Sequence, residues 1–190
     1  MPVDLTDAVI EFEYEFGHLR TLQSADIHAG YIAGLNDPEV NRYLVSVAES
    51  EQTERSVSEF VAHSLVSPRE VLFGIWMRGM PHHCGTVRLH GIEWANRTAH
   101  IGVCLFDRSC WGKGVGAAAV AAVTKWGIEH LELRWIEAGV YSENTASSKL
   151  FERIGYDHKY VIDGKYLYKG KPSIVKVYAA DRNFPNDHAR

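Results

Sequence analysis

The stretch "CWGKGVG", Cys110 to Gly116, sets three glycines and a lysine directly ahead of the run "AAAVAAV" at 117–123. Alanine and its neighbours here favour a helix, and "VGAAAVAAVTKWGIEH" (115–130) predicts one of about four turns. Successive N–H groups of a glycine-rich turn, joined to the positive end of a helix dipole, form an anion site that needs no side chain. The segment is therefore read as a phosphate cradle. The alternative is a tight connection with nothing bound.

Three phosphate patterns compete for it. The nucleotide-hydrolase octet Gly-x-x-x-x-Gly-Lys-Ser/Thr is not met anywhere in the chain. The dinucleotide fingerprint fits in letters, as Gly112-x-Gly114-x-x-Ala117, with Glu137 beyond the expected acidic position. It fails in context, because "DRSCW" (107–111) separates the loop from the preceding strand, which ends an antiparallel run. The third option is the diphosphate of coenzyme A.

Working outward, "HLRTLQ" (18–23) predicts a strand, and Ser24 a helix N-cap ahead of Ile27, Tyr31, Ile32 and Leu35, with Asn36-Asp37-Pro38 as the stop. A second helix is expected from Thr53 to Ser67. "VLFGIWM" (71–77) is nearly all apolar, the pattern of a strand buried on both faces. "GTVRLHGI" (85–92) alternates, and a loop near Trp94 to Arg97 leads to "TAHIGVCLF" (98–106). There Ala99, Ile101, Val103 and Leu105 face one way, as core, while His100, Gly102 and Cys104 line the other face as a candidate cleft. "LRWIEAGVY" (133–141) is a strand, "NTASSKLFERIG" (144–155) a helix closed by Gly155, and Asp163-Gly164 a hairpin turn in the tail. The fold class is α/β (α+β), a mixed central sheet flanked by helices.

The 190 residues contain no repeat or low-complexity linker and read as one domain, 1–190, with 1–15 a loose arm. A net charge of −4 argues against a nucleic-acid partner, and no apolar run nears the about 20 residues that span a bilayer. The start, "MPVDLTDAVIEFEYEF", lacks the pattern of a secretory signal. Cys84, Cys104 and Cys110 form no Cys-x-x-Cys pair and suggest reduced thiols in the cytoplasm. "PHHC" (81–84) is the best metal candidate, but no second cluster has zinc spacing, so no metal is expected.

"CWGKGVGAAAV" followed by "NTASSKLFERIGY" resembles the GNAT superfamily of acetyl-CoA-dependent N-acetyltransferases, in particular the branch that includes the Rim-type ribosomal-protein N-terminal acetyltransferases. The resemblance covers nearly the whole chain. It implies a GNAT fold with splayed central strands, acetyl-CoA as co-substrate and an amine acceptor, either a peptide N-terminus or a small molecule such as an amino sugar. It also implies that the amides of Trp111, Gly112, Lys113, Gly114, Val115, Gly116 and Ala117 hold the diphosphate. Ser109 stands where the family carries Gln or Arg. Val103, Cys104 and Leu105 would line the acyl arm, with an amide near Val103 or Cys104 polarising the thioester carbonyl.

Asn144, Ser147 and Leu150 meet the branch's Asn-x-x-Ser-x-x-Leu motif, so these three and Phe151 are carried over as cofactor contacts. Phe151 replaces a tyrosine that in many members is proposed to protonate the thiolate. Two roles stay open for Ser147, proton donor or small helix residue beside the cofactor. His100 stands where the family has glutamate; it is either the general base or a strand histidine held by a backbone carbonyl. Cys104 is read as a small cleft residue, not an acyl carrier. Asp37, Glu39 and Glu49 either attract a cationic acceptor or form a solvated acidic surface. The terminal hairpin is a candidate homodimer contact. The rival to an enzyme is a non-catalytic acyl-CoA-binding module of the same fold.

Overall fold

A computed structural model describes residues 4–6 and 8–184. Its strands form one eight-stranded sheet in the order β1-β2-β3-β4-β5-β6-β8-β7. They are β1 (Glu11–Tyr14), β2 (Gly17–Thr21), β3 (Val71–Met77), β4 (Gly85–Glu93), β5 (Thr98–Leu105), β6 (Trp135–Tyr141), β7 (Asp157–Tyr168) and β8 (Lys171–Asp181). Neighbours are antiparallel except β5 and β6, which are parallel. The helices are α1 (Ala29–Asn36), α2 (Val45–Ala48), α3 (Glu54–Val66), α4 (Val115–His130) and α5 (Thr145–Arg153).

The alternation read in β5 decides which layer each residue joins. Ala99 and Ile101 pack with Val115, Ala119, Val120 and Val123 of α4 in the larger core. The opposite face of the sheet carries α1 and α3, whose Tyr31, Leu35, Val57 and Val61 pack on Leu22, Leu72, Trp76 and Phe106. Helices thus cover both faces, and β3, between two layers, is buried along nearly its whole length.

Three local expectations change. Residues 11–14, assigned to a loose arm, pair with β2 from Glu11↔Arg20 to Tyr14↔Gly17, and Phe12 stacks on Trp126 of α4. Other parts of that arm, residues 1–3 and 7, lie outside the described residues. Ser24 does not cap α1. Asp26 accepts from the Gln23 amide at 2.8 Å and meets Arg20 at 2.7 Å, which closes a separate 3-10 turn over Ser24–Asp26. The chain then extends at Ile27, and His28 caps α1 by accepting the Tyr31 amide on Nδ1. Finally, Asp163-Gly164 lies inside β7, where Gly164 and Lys165 bulge out of the pairing, and the hairpin turns at Lys169-Gly170 between paired Tyr168 and Lys171. Both turn residues have positive φ, 51° and 74°, as a two-residue type I′ turn requires.

Candidate active site

Strands β5 and β6 pair only at Thr98↔Trp135, Ala99↔Ile136 and His100↔Glu137. Beyond that point each keeps its outer partner: β5 stays on β4 as far as Gly85↔Leu105, and β6 stays on β8 as far as Tyr141↔Val175. The two inner edges separate, so a wedge opens in mid-sheet. Half-buried Val103, Cys104 and Leu105 stand on one of its sides.

The glycine loop lies at the far end of β5. A 3-10 turn over Arg108–Cys110 begins with Asp107 accepting the Ser109 amide, and Cys110 is buried as its anchor. Trp111 donates its indole N–H to the Leu105 carbonyl at 2.8 Å, and its own amide is bonded to the Arg108 carbonyl at 3.1 Å. That amide is therefore spent, which trims the expected cradle by one residue. From Gly112 to Ala117 the amides have no acceptor among the described residues, and the first helical bond runs from the Ala118 amide to the Gly114 carbonyl.

The glycines do different work. Gly112 and Gly114 take φ of 72° and 84°, a region that costs other residues roughly 1–2 kcal/mol. Gly116 is a packing position, since a Cβ there would lie 3.3 Å from Leu105 and 3.5 Å from Leu150. It brings together the end of β5, the start of α4 and α5. Val115 is fully buried, whereas Lys113 is exposed at the loop tip.

Asn144 caps α5 by accepting the Ser147 amide at 3.1 Å, so half of the Asn-x-x-Ser pattern is explained by helix capping. Ser147 is half-buried. Phe151 is 3% exposed, packed edge-on against Tyr156 and stacked on Tyr178, so its ring belongs to the core.

On the opposite face of the sheet, the His100 side chain is 51% exposed, with Nδ1 3.4 Å from Glu137 Oε1. Thr98, Ala99, His100, Arg134, Trp135 and Glu137 line a depression of about 400 Å³. His90 of β4 stacks on His100 at 5.5 Å, and burial, with Arg88 and His100 adding to it, pushes His90 down to about 4. A group that weakly basic does not accept a proton at neutral pH. Burial likewise pushes the Cys104 thiol up to about 12, which makes it a poor nucleophile.

Asp37 is engaged by Arg108 at 3.4 Å and by the Glu39 amide, so it is not a free anion awaiting a cation. His83 is 2% exposed amid the rings of His28, Tyr31, Trp76 and Phe106. Among the described residues no group of three or more His, Cys, Asp or Glu could hold a metal, and no helix is long and apolar enough to cross a membrane. Glu137 was missed at this site, because its place beside His100 depends on which strands pair, which residue types alone do not reveal.

A family model described as an acetyltransferase (GNAT) domain matches residues 18–157. YoaA of Bacillus subtilis, called an uncharacterized N-acetyltransferase, is 29% identical over 164 residues, 85% of this chain and 90% of its own. The fold is shared with the Vibrio cholerae spermidine N-acetyltransferase solved with CoA and spermine, at a TM-score of 0.78 and 19% identity, covering 87% and 95% of the two chains. It is also shared with RimL, the ribosomal L7/L12 α-N-protein acetyltransferase solved with CoA, at 0.76 and 15%, covering 88% and 95%.

Proposed function

Because the chain belongs to the acetyltransferase (GNAT) domain family, we propose that it moves the acetyl group of acetyl-CoA directly to a primary amine. The observation that carries this reading is the wedge between β5 and β6 ending at a loop whose amides, Gly112 to Ala117, have no acceptor among the described residues. An extended acyl arm fits the first, and a diphosphate fits the second.

In this reading the amides from Gly112 onward and the α4 N-terminus hold the diphosphate. Val103, Cys104, Leu105 and Leu150 line the arm, and an amide at Val103 or Cys104 donates to the thioester carbonyl. One such donor is worth about 2.7–4 kcal/mol as charge develops on that oxygen. The amine nitrogen bonds to the carbonyl carbon, the C–S bond breaks, and His100 Nε2 takes the proton that nitrogen gives up. Ser147, one turn before Phe151 on α5, passes its hydroxyl proton to the departing sulfur and regains one from solvent, while His100 gives the amine's proton up to solvent. The raised thiol of Cys104 supports transfer without an acyl-cysteine.

The acceptor is a protein N-terminus or a small amine. The spermine-bound and ribosomal-protein relatives show that one fold serves both kinds. The chain acts as one domain over 1–190, in the Rim-type branch, and its three free cysteines support a cytoplasmic setting.

The test is acetyl transfer from acetyl-CoA to a panel of peptides, polyamines and amino sugars, followed by mass and by release of free thiol. Transfer to at least one class is expected. Tight binding of acetyl-CoA with no thiol released across the panel would make the protein a non-catalytic acyl-CoA-binding module.

A further inference from the structure

The last residue pair before the wedge opens is His100 and Glu137, and the two strands present these side chains on the same face of the sheet. We propose that Glu137 is the positioning residue for His100: its carboxylate holds the proton on Nδ1 and leaves Nε2 bare toward the acceptor. The proposal rests on the reading of His100 as general base.

Several observations converge on it. Parallel register places the two Cα atoms side by side, and Nδ1, not Nε2, is the nitrogen 3.4 Å from Oε1. A contact of this length in the free protein can tighten when substrate excludes water. The other carboxylate oxygen, Oε2, accepts the Trp135 indole N–H at 3.1 Å. Glu137 is thus held through Oε2 and only 22% exposed, while His100 beside it is half open to solvent. The carboxylate is the anchored member and the imidazole the oriented one.

Other groups near the ring do not compete. His90, stacked on it from β4, is neutral at physiological pH. Arg134, on the rim of the same depression, donates its Nε–H to the Asn96 carbonyl at 2.8 Å and forms no ion pair with Glu137. A carboxylate on Nδ1–H performs two tasks: it selects the tautomer whose Nε2 lone pair is available, and it stabilises the imidazolium formed when the amine's proton arrives.

The test uses the full chain. Nitrogen-15 spectra of the neutral His100 imidazole in the wild type should show the proton on Nδ1. Glu137→Ala should lose that preference and lower kcat about 10–100-fold, less than the about 100–10,000-fold that removing a general base costs. Glu137→Gln, which keeps an acceptor but no charge, should retain the tautomer and still lose kcat. Both variants should keep acetyl-CoA affinity within about twofold, since neither touches the phosphate loop. A wild-type His100 protonated on Nε2 overturns the proposal even if every variant misfolds. So does a Glu137→Ala variant with unchanged tautomer or kcat. His100→Ala at full kcat would instead remove the base reading beneath it.

Discussion

Gly114 is the residue on which the proposed diphosphate cradle most depends, and it has no side chain. It sits at φ 84° directly before α4, and a Cβ there would meet Phe16 no closer than 3.7 Å. Gly114→Ala therefore has room but the wrong backbone preference, and relieving it would turn the neighbouring amides away. Losing one or two charge-assisted N–H bonds should raise the Kd for acetyl-CoA about tenfold or more, with thermal stability changed far less. Calorimetric titration reads the first and a melting curve the second; unchanged affinity would mean that this turn does not hold the diphosphate. Cys104 gives the opposite expectation. With its thiol held protonated by burial, Cys104→Ala should keep kcat within about threefold, and acid quenching of the wild type should trap no acylated protein. The glycine loop was legible because backbone demands are written in residue type. The loss of the Trp111 amide and the burial of Phe151 were not, because both depend on what the chain folds against.

At the scale of elements, α4 and β3 follow from composition alone, since each is a run of one character with sharp ends. The terminal hairpin does not. Asp163-Gly164 is the stronger turn signal by residue type, yet cross-strand pairing puts it inside β7, where Gly164 and Lys165 bulge out between Asp163↔Ile174 and Tyr166↔Ser173. The turn falls at Lys169-Gly170, where lysine is held at φ 51°. Tertiary pairing wins because Val175, Val177 and Tyr178 of β8 are committed to the core, so β8 fixes the register and β7 must follow. A strained lysine at the first turn position can be relieved. Lys169→Asn should stabilise the fold by roughly 0.5–1 kcal/mol, seen as a higher urea midpoint at constant slope. Gly170→Val should lower the midpoint. If neither moves it, the turn lies elsewhere.

Across the whole molecule, the junction between the α1–α3 layer and the sheet rests on a histidine that must stay neutral. His83 is 2% exposed among Tyr31, Trp76, Phe106 and His28; burial first, then the positive fields of His28, His82 and Arg20, push it down to about 3, against an upward pull from Asp26. "PHHC" marked this stretch as a metal candidate because sequence shows which residues are ligand types and hides which are enclosed. An unfolded histidine titrates near roughly 6.5. Between that pH and about 3 the unfolded chain carries a proton on this residue that the native chain does not, so stability rises with pH across the window and is lost on acidification. The slope is about 1.4 kcal/mol per pH unit, so about 2 kcal/mol should vanish between pH 7.5 and 5.0 from this group alone. His83→Phe, which replaces the imidazole with an apolar ring among aromatic neighbours, should lack that component. Urea unfolding of both proteins at the two pH values gives the double difference, in which other titrating groups cancel. The wild type should lose about 2 kcal/mol more than the variant. Equal losses would mean that His83 is protonated in the folded protein at pH 5.0, and that water reaches the junction between the helical layer and the sheet.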